Sequence, residues 1–200
     1  VDREVEVLVI DGNSTDKTLE KLDRIKLEHP ELRTIMLPEN RGTTISRNQG
    51  IEETSGRYLL FLDSDTIVEP GVLSILPQTL EQHKKIGIVA PRLIYKDGTV
   101  QSSCKRFPTL PIKLFKFLPA QSLRDWAKRQ ELYQDKVYDE DFNQLIRVDH
   151  CISAAWLVRR KTIQDIGGFD ENIFYAPEDV DLSLRAWLNR SEERRVGKEC

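Results

Sequence analysis

Short apolar runs alternate with longer amphipathic stretches over roughly the first ninety residues. Val5-Glu6-Val7-Leu8-Val9-Ile10 is rich in β-branched residues and predicts a mostly buried strand. Asp11 to Asp16 follows, a run of turn and cap formers. Leu19, Leu22, Ile25 and Leu27 recur at near-helical spacing until Pro30 stops them. A second strand is predicted over Arg33 to Leu37, a helix over Thr43 to Thr54 and a third strand over Tyr58-Leu59-Leu60-Phe61-Leu62. Pro70 suits a helix start, Pro77 predicts a kink in that helix, and Ile86 to Val89 is a further strand. Lys96-Asp97-Gly98-Thr99 is a hairpin signal between Leu93-Ile94-Tyr95 and Val100. Ala155 to Val158 predicts a late strand, Lys161 to Ile166 a short helix and Glu178 to Asn189 a final helix. The alternation predicts an α/β fold with a mostly parallel central sheet flanked by helices.

Composition agrees with one globular domain. The apolar fraction is 39%, and the ten glycines bring it to 44%, near the usual ~45–50%. The 30 basic and 33 acidic residues nearly cancel at −3, so no basic field exists to bind nucleic acid without regard to sequence. No apolar run approaches the ~20 residues that span a bilayer, and no secretory leader opens the chain. Cys104, Cys151 and Cys200 are odd in number and far apart, which predicts reduced thiols and a cytoplasmic location. Residues 190–200 resemble the translated read of a sequencing adapter and are set aside as a non-native tail. The expected domain is therefore 1–189, incomplete at both ends.

In open α/β sheets, ligands gather at the carboxyl ends of the strands. Two predicted strands end there in acidic loops, with Asp11 after the first and Asp63 and Asp65 after the third. The Asp63/Asp65 pair suits a hard divalent ion that takes one or two protein carboxylates and completes its shell with phosphate oxygens and water. Glu178-Asp179-Val180-Asp181 opens the last helix. Acids there complement the helix dipole, but three in four positions exceed that need and make one a candidate general base. Asp181 and Arg185 are spaced for an i,i+4 pair, which leaves Asp179 freer to face a substrate.

These motifs together resemble glycosyltransferase family 2. Val9-Ile10-Asp11-Gly12-Asn13-Ser14-Thr15-Asp16 is similar to its V-V-D-N-G-S-T-D signature, with the Gly and Asn exchanged. Asn40-Arg41-Gly42 with Ser46-Arg47-Asn48-Gln49-Gly50 resembles its second motif, and Leu60 to Asp65 its Asp-x-Asp motif. Ile166 to Glu171, Phe174 and Glu178 to Arg185 resemble the last block of its bacterial rhamnosyltransferase-like members. The resemblance spans about residues 4–189. It implies a GT-A fold, a nucleotide-diphospho-sugar donor, Mg²⁺ or Mn²⁺, and inversion at the anomeric carbon. By position, Asp11, Asn13, Arg47 and Asp63 would bind the donor, Asp65 and Asp63 the metal, Asp179 would be the base and Asp181 the second choice. Glu178 and Trp156 would face the acceptor, a saccharide or lipid-linked saccharide, in cell-surface polysaccharide synthesis. The family's usual first strand is missing, and Ser153 replaces the usual Gly before the late strand.

His150, just ahead of that strand, is read either as a core or edge histidine or as a metal ligand. Lys105 to Leu118 interleaves basic and apolar residues, which suits peripheral contact with the inner membrane face or a cover over the acceptor side. Two other functions stay open at this point. One is a haloacid-dehalogenase-like phosphatase with Asp63 as nucleophile. The other is a non-catalytic sugar-nucleotide-binding module.

Overall fold

β1 (Leu8–Asp11) and β2 (Arg33–Met36) pair in parallel, Ile10 opposite Ile35, with helix α1 (Thr18–Glu28) joining them. Then come α2 (Thr43–Glu52), β3 (Tyr58–Leu62), α3 (Val72–Gln82) and β4 (Ile88–Val89). The rest comprises β5 (Cys104–Lys105), α4 (Gln121–Glu131), β6 (His150–Cys151), β7 (Ala155–Arg159), α5 (Arg160–Ile166) and α6 (Glu178–Asn189). The computed structural model describes residues 4–109, 112, 121–131 and 145–189. The expected tail and most of the basic–apolar stretch lie outside the described residues. Among the described residues no helix is long and apolar enough to cross a membrane.

The α/β class is as the alternation predicts, and β1–β2 is parallel. In the second sheet, β3 and β4 run the same way on either side of β7, which is antiparallel to both. β7 enters reversed because a long excursion after β4 delivers it, whereas a crossover helix would return the chain parallel. Among the described residues, β1 pairs only with β2, and β3 only with β7. This open edge explains why the first run is less buried than its composition predicts. Val5 is 64% exposed, Val7 47%, and of β1 itself only Asp11 is fully buried. The hairpin signal is realised as an Ile94–Val100 bridge closed through Gly98 at φ +87°. Pro77 lies buried inside α3 without ending it.

β7 organises the core because both its faces are covered. Trp156 and Val158 point to one side, with Leu59, Cys151, Ile163, Phe169 and Leu182. Leu157 points to the other, with Leu76, Leu80, Ile86 and Val89. Period-two alternation thus divides one strand between two cores. Two arginines at its end then fasten neighbouring helices by their carbonyl termini. Arg159 donates to Leu80 O and, at 2.7 Å, to Ile86 O. Arg160 donates to Ile51 O at 2.8 Å and Gly56 O at 2.7 Å. Cations at helix C-termini also complement the dipole.

At the other end of α2, Gly42 has φ +93°, and a Cβ there would run into the Phe174 carbonyl and ring. Thr43 N donates to that carbonyl at 3.0 Å, and Thr44 Oγ1 to Ile173 O at 2.6 Å, so the approach is needed to dock the segment before α6. Gly42→Ala should therefore lower the unfolding free energy by about 1–3 kcal/mol, from the backbone strain alone, read as a shift in urea midpoint.

Candidate active site

Arg47 sits on α2, one turn past the Gly42 contact, and its side chain is only 9% exposed. It donates through Nη2 to Asp63 Oδ1 at 2.9 Å and through Nη1 to Ser153 Oγ at 2.9 Å and Glu178 Oε1 at 3.2 Å. Ser153 Oγ donates in turn to the same Glu178 oxygen at 3.1 Å. Phe169 lies beneath the guanidinium, 5.4 Å from its centroid, and packs edge-on against Phe61. One arginine thereby joins α2, the end of β3, the turn before β7 and the start of α6. Only a planar fork with five donors can address so many acceptors at once.

The three acids that open α6 take three different roles. Glu178 is buried, with Oε1 on Arg47 and Ser153 and Oε2 enclosed without a partner among the described residues. Asp181 pairs with Arg185 at 2.5 Å, as its spacing predicts. Asp179 is half-buried and accepts a hydrogen bond from Val180 N at 2.7 Å. No cation contacts it among the described residues. It is the carboxylate of the three that is left to act on something else.

Asp63 faces Arg47 with one oxygen and remains 41% exposed, while its backbone N–H is held by Ala154 O at 2.9 Å. Asp65 is exposed in the same loop. Among the described residues no group of three or more His, Cys, Asp and Glu side chains could enclose a metal. A two-carboxylate loop fits an ion whose remaining ligands arrive with a diphosphate, and does not fit an all-protein cage. Asp11 is buried at the end of β1, where its carboxylate accepts Ser14 N–H at 2.8 Å and Ser14 O–H at 2.5 Å. Asn13 beside it is exposed at φ +68°. The Asp11 loop meets Asn40 across Gly12, and Asn40 accepts from Gly42 N, which links this loop to the N-terminus of α2.

Three sequence expectations need correction. Trp156 does not face an acceptor: it is 0% exposed, because its position on β7 turns it into the core. Glu178 does not line an acceptor wall, because Arg47 and Ser153 draw it inside. Arg47, expected to bind the donor, is engaged in ion pairs with Asp63 and Glu178. Ser153, in place of the usual Gly, supplies a hydroxyl to this node. Sequence reasoning also gave Asn48 no role. Its Oδ1 accepts Phe169 N–H at 2.8 Å and its Nδ2 donates to Phe169 O at 2.9 Å, pinning the Gly168–Phe169 turn to α2. Its place next to Arg47 in the second motif was the available signal.

β5 and β6 form a short ladder beside the start of α6, with Cys104 opposite Cys151. Burial pushes the Cys151 thiol up to about 12 and raises Cys104, so both stay protonated and unreactive. Burial likewise lowers the basicity of His150, against the opposing charge of Asp179.

Residues 2–167 match the model of the family described as "Glycosyl transferase family 2". The chain belongs to glycosyl transferase family 2. The Bacillus subtilis protein named uncharacterized glycosyltransferase YfnE is 26% identical over 92% of this chain and 53% of its own length. The Staphylococcus aureus poly-beta-1,6-N-acetyl-D-glucosamine synthase is 34% identical over 46% of this chain and 23% of its own. The chain thus spans about half, or less, of the curated relatives it matches. Among solved structures, S. aureus TarS 1-349 superposes with TM-score 0.58 at 21% identity, covering 92% of this chain and 46% of that one. GalNAc-T7, solved with UDP, GalNAc and Mn²⁺, gives TM-score 0.63 at 16% identity, covering 91% and 34%. These likenesses show the GT-A fold. Family membership replaces the phosphatase alternative, and the Asp-x-Asp loop of this family 2 chain is to be read in that setting.

Removing the arginine would leave Glu178 buried without its counter-charge. Arg47→Ala should cost about 3–5 kcal/mol in denaturant unfolding. Arg47→Lys should recover little of that, because an ammonium cannot span Asp63, Ser153 and Glu178 together.

Proposed function

We propose that this chain carries the catalytic centre of an inverting transferase, which moves a sugar from a nucleotide-diphospho-sugar to an acceptor hydroxyl in bacterial polysaccharide synthesis. The observation that carries the reading is the Arg47 node. It joins the Asp63 loop to the start of α6, where the neighbouring Asp179 contacts no cation among the described residues. The named relatives support the polysaccharide setting, and solved neighbours of the same fold hold UDP-GlcNAc, or GDP-Man with Mn²⁺.

In this reading Asp11 and Asn13 border the nucleotide. Asp63 and Asp65 are the residues that would hold a divalent ion, Mg²⁺ or Mn²⁺, whose chemistry there would be to offset negative charge on a diphosphate. Arg47 fixes Asp63 against the start of α6 and so sets the separation between leaving group and base. Asp179 accepts the proton of the acceptor hydroxyl as its oxygen attacks the anomeric carbon from the side opposite the diphosphate. Asp181, paired with Arg185, holds the helix and takes no proton. The acceptor is a saccharide or lipid-linked saccharide, and the basic residues between Lys105 and Lys116 favour an enzyme seated at the inner face of the membrane.

In the full-length protein, Asp179→Asn should retain donor binding and lose transfer by on the order of 10²–10⁴-fold. Asp65→Asn should instead lose metal-dependent nucleotide binding. Calorimetry with nucleotide diphosphate and metal, beside product detection from a panel of nucleotide sugars, reads both. An active Asp179→Asn variant would overturn the assignment of the base.

A further inference from the structure

A cavity of about 420 Å³ opens beside the second half of α6, and its walls among the described residues are Phe107, Arg147, Asp149 and Trp187. Each wall is fixed by a contact. The Arg147 guanidinium lies over the Trp187 ring, 3.9 Å from its centroid. Phe107 meets the same indole edge-on, at 6.4 Å and 76°, and is backed by the His150 ring at 5.9 Å. Asp149 ties the two aromatic residues together. Its Oδ2 accepts Phe107 N–H at 2.8 Å, and its carbonyl accepts Trp187 Nε1–H at 3.0 Å. Among the described residues Arg147 meets no carboxylate within ion-pair distance. The cavity also has a fixed place relative to the first turn of α6. The segment from Asp149 to Ser153 is fastened to that helix at Trp187 and, through Ser153 Oγ at 3.1 Å, at Glu178. Nine helical steps put these anchors roughly 13 Å apart, and four extended steps span about the same distance.

The chemistry of these walls selects a ligand. A strongly anionic ligand would meet the Asp149 carboxylate, and a purely apolar one would strip water from both charges without replacing it. A saccharide satisfies all four residues. Its hydroxyls can donate to Asp149 and accept from Arg147, while its C–H faces lie against the aromatic rings. A carboxylate offers about four lone-pair sites, of which Phe107 N–H takes one. Arg147, held over the indole, presents its N–H donors with little freedom left to lose. We infer that this cavity is a distal acceptor subsite, which binds a sugar beyond the one whose hydroxyl is glycosylated. The inference rests on the reading of the first turn of α6 as the place of transfer, and it deepens that reading. The distance along α6 exceeds one pyranose ring, so the acceptor is a neutral glycan of at least two sugars, free or carried on a lipid. Phe107 belongs to the stretch whose sequence suits a cover over the acceptor side.

The test uses the full-length protein with a panel of neutral mono-, di- and trisaccharides of glucose, galactose, mannose, N-acetylglucosamine and rhamnose. The indole N–H resonance of Trp187, assigned by its loss in Trp187→Phe, reports occupancy of the cavity by ¹⁵N NMR. A di- or trisaccharide should shift it saturably, and single sugars should shift it less. Arg147 is exposed, so Arg147→Ala should leave the urea midpoint close to that of the parent. The same change should weaken saccharide binding about 10–100-fold, the loss of a hydrogen bond to a charged group. In transfer assays Arg147→Ala should raise KM for acceptors of two or more sugars by a similar factor. Donor KM, kcat and KM for a one-sugar acceptor should stay unchanged. No saturable shift with any member of the panel would overturn the subsite, and so would an equal effect of Arg147→Ala on short and long acceptors. A shift produced by inorganic pyrophosphate in place of the saccharides would overturn it as well. Active transfer without binding at Trp187 would sink the subsite alone. Binding at Trp187 in a protein that transfers no sugar from any donor would overturn both the acceptor role of the cavity and the reading of the site.

Discussion

A single buried cation facing two carboxylates holds the candidate site together. Arg47 reaches Asp63 and Glu178 from a helix that precedes both in the chain, and Ser153 closes the triangle. The arrangement is asymmetric. Glu178 is almost fully buried, while Asp63 stays partly open to water. An ion pair of this kind adds little net stability over a well-packed apolar substitute, yet losing one partner is costly. Its value here is geometric: it fixes the distance between an acidic loop at a strand end and the first turn of α6.

That node depends on the packing around it. α2 is held at its N-terminus by the close approach of Gly42 to Phe174 and at its C-terminus by Arg160. Asn48 grips the backbone at Phe169, whose ring underlies Arg47. β7, buried on both faces, follows the turn that presents Ser153 and ends in Arg159, which fastens α3, while the adjoining Arg160 of α5 fastens α2. The site is therefore a junction of elements drawn from the early and the late chain. Asp179, which contacts no cation among the described residues, sits where α6 begins.

The first three strands, the acidic motifs and the final helix are legible in the sequence because each rests on local signals. Apolar runs, turn formers and i,i+4 spacing act between near neighbours, so the Asp181–Arg185 pair and the Gly98 hairpin were readable directly. The Asp63 and Asp65 loop and the acids of α6 were likewise visible as constellations. Their convergence was implied by strand-end logic and by the family resemblance.

Tertiary structure alone decided which of those residues are used inside the protein. Trp156 is buried because β7 is sandwiched between β3 and β4, a placement that depends on strand order and direction. Glu178 and Arg47 face one another across 131 residues of chain, a pairing that no local window contains. Ser153 and Asn48 gain their roles for the same reason. Sequence determined the element types and the inventory of charged groups, since propensity and patterning are local. Long-range packing decided which charges neutralise each other and which, like Asp179, contact no cation among the described residues, because burial and counter-charge exist only once distant segments meet.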